Sequence, residues 1–215
     1  MNEHKQIRHE QEPDERHRQT VDVTIKWIDG DPSSELEALA QEMFEKAVAY
    51  VQDIFGEGYP IPSLYHLHMI SGKSHGNGGI IMYLSRELLL DALQGDATRR
   101  ETEQSLIVHE FVHNVQEYED LPMLAELLYL LEHGQETYIK EKICVAYLKD
   151  KLEKQYRDGL SKIAGWMGYS DGASFLNELT PASADRMKMI FQREIKKIMD
   201  ELKTRRLEAR RRRGT

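Results

Sequence analysis

Hydrophobic and polar residues first alternate in a regular way at Val21, Val23, Ile25 and Trp27, which are separated by Asp22, Thr24 and Lys26. A period of two predicts a half-buried strand over 21–27. Asp29, Gly30 and Pro32 turn the chain, and the period then lengthens. Leu36, Leu39, Ala40, Met43, Phe44, Ala47, Val48 and Val51 recur on one helical face behind a capping box of Ser34 and Glu37. A second alternating run predicts a strand over 63–70, with Leu64, His66, His68 and Ile70 on one side. Residues 71–79 read as a flexible loop, 80–84 as a short apolar strand, and Ser85 as the cap of a brief helix ending near Gly95. From there the pattern is helical. One helix opens at the capping box of Thr98 and Glu101 and runs to about Tyr118, and a second runs from Pro122 to about His133, closed by Gly134. Ile139, Ile143 and Tyr147 continue at helical spacing toward Tyr156, and a break is expected over 165–168. A short helix follows 169–172. Thr180 and Pro181 then start a long one with the stripe Met187, Ile190, Phe191, Ile195, Ile198 and Leu202. The expected class is α+β: a small sheet with a backing helix, then a helical C-terminal region.

Chemistry concentrates in the first long helix after the strands. Residues 106–113 read LIVHEFVH, and His109 and His113 are four apart, so their imidazoles lie one above the other on one helical face and can grip one ion. Glu110 is placed beside them to act as a general base toward a metal-activated water. Two imidazoles in a site with one further carboxylate favour zinc, and a catalytic zinc takes three protein ligands and leaves a fourth position open. Two glutamates of the following helix compete for the third place. Glu126 lies about one turn into that helix and Glu132 near its far end; because each residue climbs about 1.5 Å, the reading favours Glu126. Tyr129, three residues on, is a candidate donor to a tetrahedral oxyanion.

Composition narrows the picture. The chain has 215 residues and a formal net charge of −8, which argues against a nucleic-acid-binding domain. No apolar run reaches the roughly 20 residues of a membrane span, and the first twenty residues lack the apolar core of a secretory signal. Together these predict a cytoplasmic protein with no membrane partner. Cys144 is the single cysteine, so an intrachain disulfide is impossible. Residues 1–20 read as a flexible polar tail and 205–215, with Arg205, Arg206 and four consecutive arginines from Arg210, as a basic tail. Between them lie a core over 21–133 and a helical region over 134–204. His66 and His68, two apart on a strand, are read as surface residues. The Gly72-Lys73-Ser74 run is no phosphate loop, because Leu67 stands where such a loop needs glycine.

On these residues the chain resembles the zincin metallopeptidases, and within them the gluzincin group, over roughly residues 21–133. The resemblance implies a zinc-dependent peptidase acting on peptide or protein substrates. His109 and His113 would be its histidine ligands, Glu110 its general base and Glu126 its third ligand. The strand over 80–84, just before the metal helix, is read as an exposed edge that pairs with extended substrate, and the resemblance implies an edge strand there as well. Two other readings stand beside it. One is a zincin-like protein that holds metal without turnover, and the other a helical interaction protein acting through the C-terminal helix and its arginines.

Overall fold

The computed structural model describes residues 21–55, 62, 64–76 and 80–213. The expected tail over 1–20 and the turn over 56–61 lie outside them. Strand β1 (Asp22–Trp27) is followed by helix α1 (Ser34–Phe55) and strand β2 (Leu64–Ile70), which pairs in parallel with β1, Val23 opposite Tyr65 and Trp27 opposite Met69. A parallel pair needs a long crossover, which α1 supplies. Strands β3 (His75–Gly76) and β4 (Ile81–Ser85) complete a sheet ordered β1-β2-β4-β3, in which β4 is parallel to β2 and β3 is antiparallel to β4. The loop expected over 71–79 therefore contains an edge strand, and the strand over 80–84, expected to be an exposed edge, lies between β2 and β3. Strand β3 is too short to show as periodicity.

Helix α2 (Arg86–Leu93) leaves the sheet directly from its cap Ser85, whose hydroxyl accepts from the Leu88 amide at 3.3 Å. Helix α3 (Ala97–Val112) carries His109 and is capped at its C-terminal end by His113. Its cap is Asp96 rather than Thr98: the Asp96 carboxylate accepts from the Arg99 amide at 2.9 Å, two residues upstream of the expected box. The core is built where these elements meet. Phe44 of α1, Tyr65 of β2 and Phe111 of α3 are fully buried, with Tyr65 stacked on Phe111 at 5.1 Å and Phe44 at 5.0 Å from Tyr65. One face of the sheet is thus closed by α1 and α3, while His66 and His68 lie on the other, half-buried.

Helix α3 stops at Val112 and not near Tyr118. The Asn114 side chain donates to the Phe111 carbonyl at 2.7 Å and to the Tyr65 hydroxyl, and the Asn114 amide turns back to the same carbonyl at 3.3 Å. These bonds replace the next helical turn. Helix α4 (Asp120–Glu132) follows and ends on Gly134, whose φ of 70° lets Gln135 return a hydrogen bond to Leu130.

The C-terminal region is helical but broken: α5 (Glu136–Tyr138), a π-helical turn (Ile139–Cys144), α6 (Val145–Leu148), α7 (Lys154–Met167), α8 (Gly172–Glu178), a 3-10 turn (Pro181–Ser183) and α9 (Ala184–Arg213). The expected run toward Tyr156 is cut by a turn in which Asp150 takes a φ of 54°. Helices α7 and α9 both pack on α4, and Met187, Ile190, Phe191 and Ile195 of the expected stripe are buried. Helix α9 runs on to Arg213, so residues 205–213 are helical rather than a separate tail. No helix of the described residues is long and apolar enough to cross a membrane.

Candidate metal centre

Helical spacing on α3 brings Nε2 of His113 to 3.2 Å from Nε2 of His109. The chain then leaves the helix, and the turn after His113 swings Glu119 back over the same face. Its Oε2 lies 3.1 Å from Nε2 of His109 and 3.6 Å from Nε2 of His113. That oxygen is buried and makes no hydrogen bond of proper geometry. Among the described residues, these three side chains form the cluster of ligand atoms close enough to hold one cation.

The triangle has the dimensions zinc requires. Bonds of about 2.0–2.1 Å at tetrahedral angles place any two ligand atoms about 3.3–3.4 Å apart. The three edges here bracket that value. Two imidazoles and a carboxylate also match the donor set of a zinc site that keeps one position open.

The other nitrogen of each imidazole is held from behind. Nδ1 of His109 faces Oε2 of Glu126 at 2.9 Å, and Nδ1 of His113 faces the main-chain carbonyl of Gln116 at 2.9 Å. Such partners fix ring orientation and leave Nε2 as the ligand atom. Burial alone would push the His109 imidazolium to lose its proton, but the carboxylates of Glu119 at 3.1 Å and Glu126 at 2.9 Å and the charge of Glu110 outweigh it and hold the pKa at about 10. Burial likewise raises Glu119, and the two imidazoles overcome it and bring the carboxyl down to about 2. Without metal, the pocket is therefore closed by an ion pair.

Comparison with known proteins identifies no relative. No family model, no curated protein and no solved structure matches the chain. The geometry of the site carries the functional argument.

Glu110 projects toward the edge strand. A Cβ on Gly76 of β3 would fall 1.7 Å from Oε2 of Glu110, so only glycine leaves room for this carboxylate against the strand. Ser74 secures the approach, because its hydroxyl bonds the buried Glu103 of α3 and accepts from the Ser85 amide at 2.8 Å. On the opposite side, the Tyr156 ring of α7 lies 6.0 Å from the His109 ring. Burial and the charges of Glu119, Glu110, Glu126 and Glu153 raise the Tyr156 pKa well above the usual tyrosine range, which keeps the hydroxyl protonated as a donor.

Three expected residues occupy other places. Glu126 sits behind His109, on Nδ1, instead of joining the Nε2 atoms. Glu132 accepts a hydrogen bond from Tyr50 at 2.7 Å, and Tyr129 donates to Glu101 at 2.7 Å while its ring stacks on His133 at 3.9 Å. Tyr129 is thus engaged in an aromatic cluster. The residues missed were Glu119 and Tyr156. For Glu119 a signal existed: it lies six residues after His113, the spacing of the third ligand in the HExxHxxGxxH pattern, although Gln116 replaces its glycine.

Proposed function

We propose that the chain is a zinc-dependent hydrolase of peptide bonds, with zinc held by His109, His113 and Glu119. The observation that carries this reading is the triangle of three ligand atoms 3.1–3.6 Å apart, one of them a buried carboxylate oxygen without a hydrogen bond. Zinc, when bound, lowers the pKa of a water toward neutrality and polarises a carbonyl. The chain's own groups supply the remainder. Glu110 accepts the proton of the attacking water and returns it to the leaving amine. The Tyr156 hydroxyl, kept protonated, donates to the developing oxyanion. Glu126 orients the His109 ring.

A peptide is favoured as substrate over other amides for two reasons. Edge strand β3 lies directly beside Glu110 and offers main-chain groups to an extended chain. The stretch over 106–113 also resembles that of zincin peptidases. A cytoplasmic setting belongs to the same proposal, with the single Cys144 buried and free.

The test pairs metal analysis with cleavage. Wild-type protein loaded with zinc is incubated with a peptide library read by mass spectrometry, alongside Glu110→Gln. We expect one zinc per chain in both proteins, and cleavage by the wild type that falls by about 10²–10⁴ in the variant. Equal cleavage by the two proteins would overturn the assignment of Glu110, and metal-loaded wild type without any cleavage would overturn hydrolysis.

A further inference from the structure

The turn that delivers Glu119 is held by a helix outside the 21–133 core. Asp120, the next residue, is 2 % exposed, and its carboxylate receives the Gln116 side-chain amide, the Leu121 main-chain amide at 2.9 Å and the ammonium of Lys162 from α7. Gln116 is the residue whose carbonyl steadies His113. One buried carboxylate therefore ties the middle of the segment between the second and third ligand to its far end. Its cation comes from α7. The same helix approaches the ligand itself: a Cβ on Gly159 would lie 3.2 Å from the main-chain carbon of Glu119 and 3.3 Å from the Asp120 amide nitrogen, so the glycine allows close packing there.

We infer that Lys162 is a positioning residue for the metal centre, acting through Asp120 and Gln116 on Glu119 and His113. The inference rests on the zinc site proposed above. A buried carboxylate stays charged and fixed only while a cation and hydrogen bonds satisfy it. Removing the ammonium releases Asp120 to seek water, and the turn between the ligands moves with it. Residues of α3 do not depend on this contact, so the expected defect lies in the metal site and not in the helical content. Partners behind a metal ligand are typically worth about ten- to a hundredfold in affinity.

The experiment measures zinc affinity by competition with a chromogenic chelator in full-length wild type, Lys162→Met, Lys162→Arg and the double variant Asp120→Asn/Lys162→Met. Circular dichroism and the visible spectrum of the cobalt-substituted proteins are recorded in parallel. Met keeps an unbranched aliphatic side chain of similar length beside Trp166, over whose ring the Lys162 ammonium lies at 5.2 Å. We expect Lys162→Met to bind zinc about ten- to a hundredfold more weakly with an altered cobalt spectrum and unchanged helicity, and Lys162→Arg to recover most of the affinity. The double variant removes the unpaired buried charge, which guards against loss of fold, and its amide oxygen can still accept from Gln116 and Leu121, so it should recover part of the affinity lost in Lys162→Met. Affinity within twofold of wild type in Lys162→Met, or a double variant that binds no more tightly than Lys162→Met, would overturn the inference and leave the zinc site standing. A wild type that takes up no zinc would overturn the site itself, and the role of Lys162 with it.

Discussion

Helix α3 and the turn that follows it bring side chains to one candidate metal centre by different means. His109 and His113 meet because residues four apart on any helix meet; the contact is local and would form in most helices of that sequence. Glu119 meets them because Asn114 stops the helix against Tyr65, Asp120 is clamped by Lys162, and Gly159 lets α7 press on the turn. None of those contacts is local. A ligand on regular structure is therefore robust and legible, whereas a ligand on irregular chain inherits its precision from distant parts of the fold. Helix α7 belongs to the candidate site for this reason.

The largest way to sharpen the contrast is to disturb catalytic geometry from the sheet side without touching either ligand source. Gly76→Val places a branched side chain where Oε2 of Glu110 now lies, and a displacement of about 1 Å at a catalytic group costs about 10²-fold in rate. Peptide cleavage should fall by about that factor while zinc content stays at one per chain. Retention of full activity would mean that Glu110 does not work from its position against β3.

A smaller effect follows from the ion pair between the helix and the turn. The folded-state pKa of His109 is raised from 6.5 to about 10, so its contribution to stability is complete below about 6.5 and is lost as pH rises toward 10. Glu119 is lowered from 4.5 to about 2, so its contribution is complete above about 4.5 and is lost as pH falls toward 2. Metal-free protein should therefore show its highest melting temperature between about pH 4.5 and 6.5 and lose stability on either side. Zinc requires neutral His109, so its binding near neutral pH should release a proton and weaken as pH falls. Melting curves with chelator across pH, and calorimetry in buffers of different ionisation enthalpy, read both effects; a metal-free melting temperature that is flat from pH 6.5 to 9 would exclude the ion pair.

Much of this was readable from residue order alone. The first strand, α1, the strand ending at Ile70, the histidine helix and the buried stripe of α9 follow from periodicity and burial, and His109, Glu110 and His113 follow from spacing. Glu119 did not, because the apolar and polar pattern after His113 is compatible with further helix to Tyr118, and Asn114, which ends it sooner, acts through Tyr65, 49 positions away in the chain. With the helix read as longer, Glu119 fell in an apparent linker and Glu126 appeared to be the nearest carboxylate. Glu126 does reach the site, but at Nδ1 of His109. Tyr156 was invisible for a similar reason: nothing local to α7 says that it packs beside His109.

Whether Glu119 or Glu126 completes the candidate metal centre is decided by zinc titration of Glu119→Gln against Glu126→Gln. We expect Glu126→Gln to take up one zinc per chain with affinity lowered about ten- to a hundredfold, as for a partner behind a ligand, and Glu119→Gln to lose stoichiometric binding. Stoichiometric zinc in Glu119→Gln, together with its loss in Glu126→Gln, would move the third ligand to Glu126.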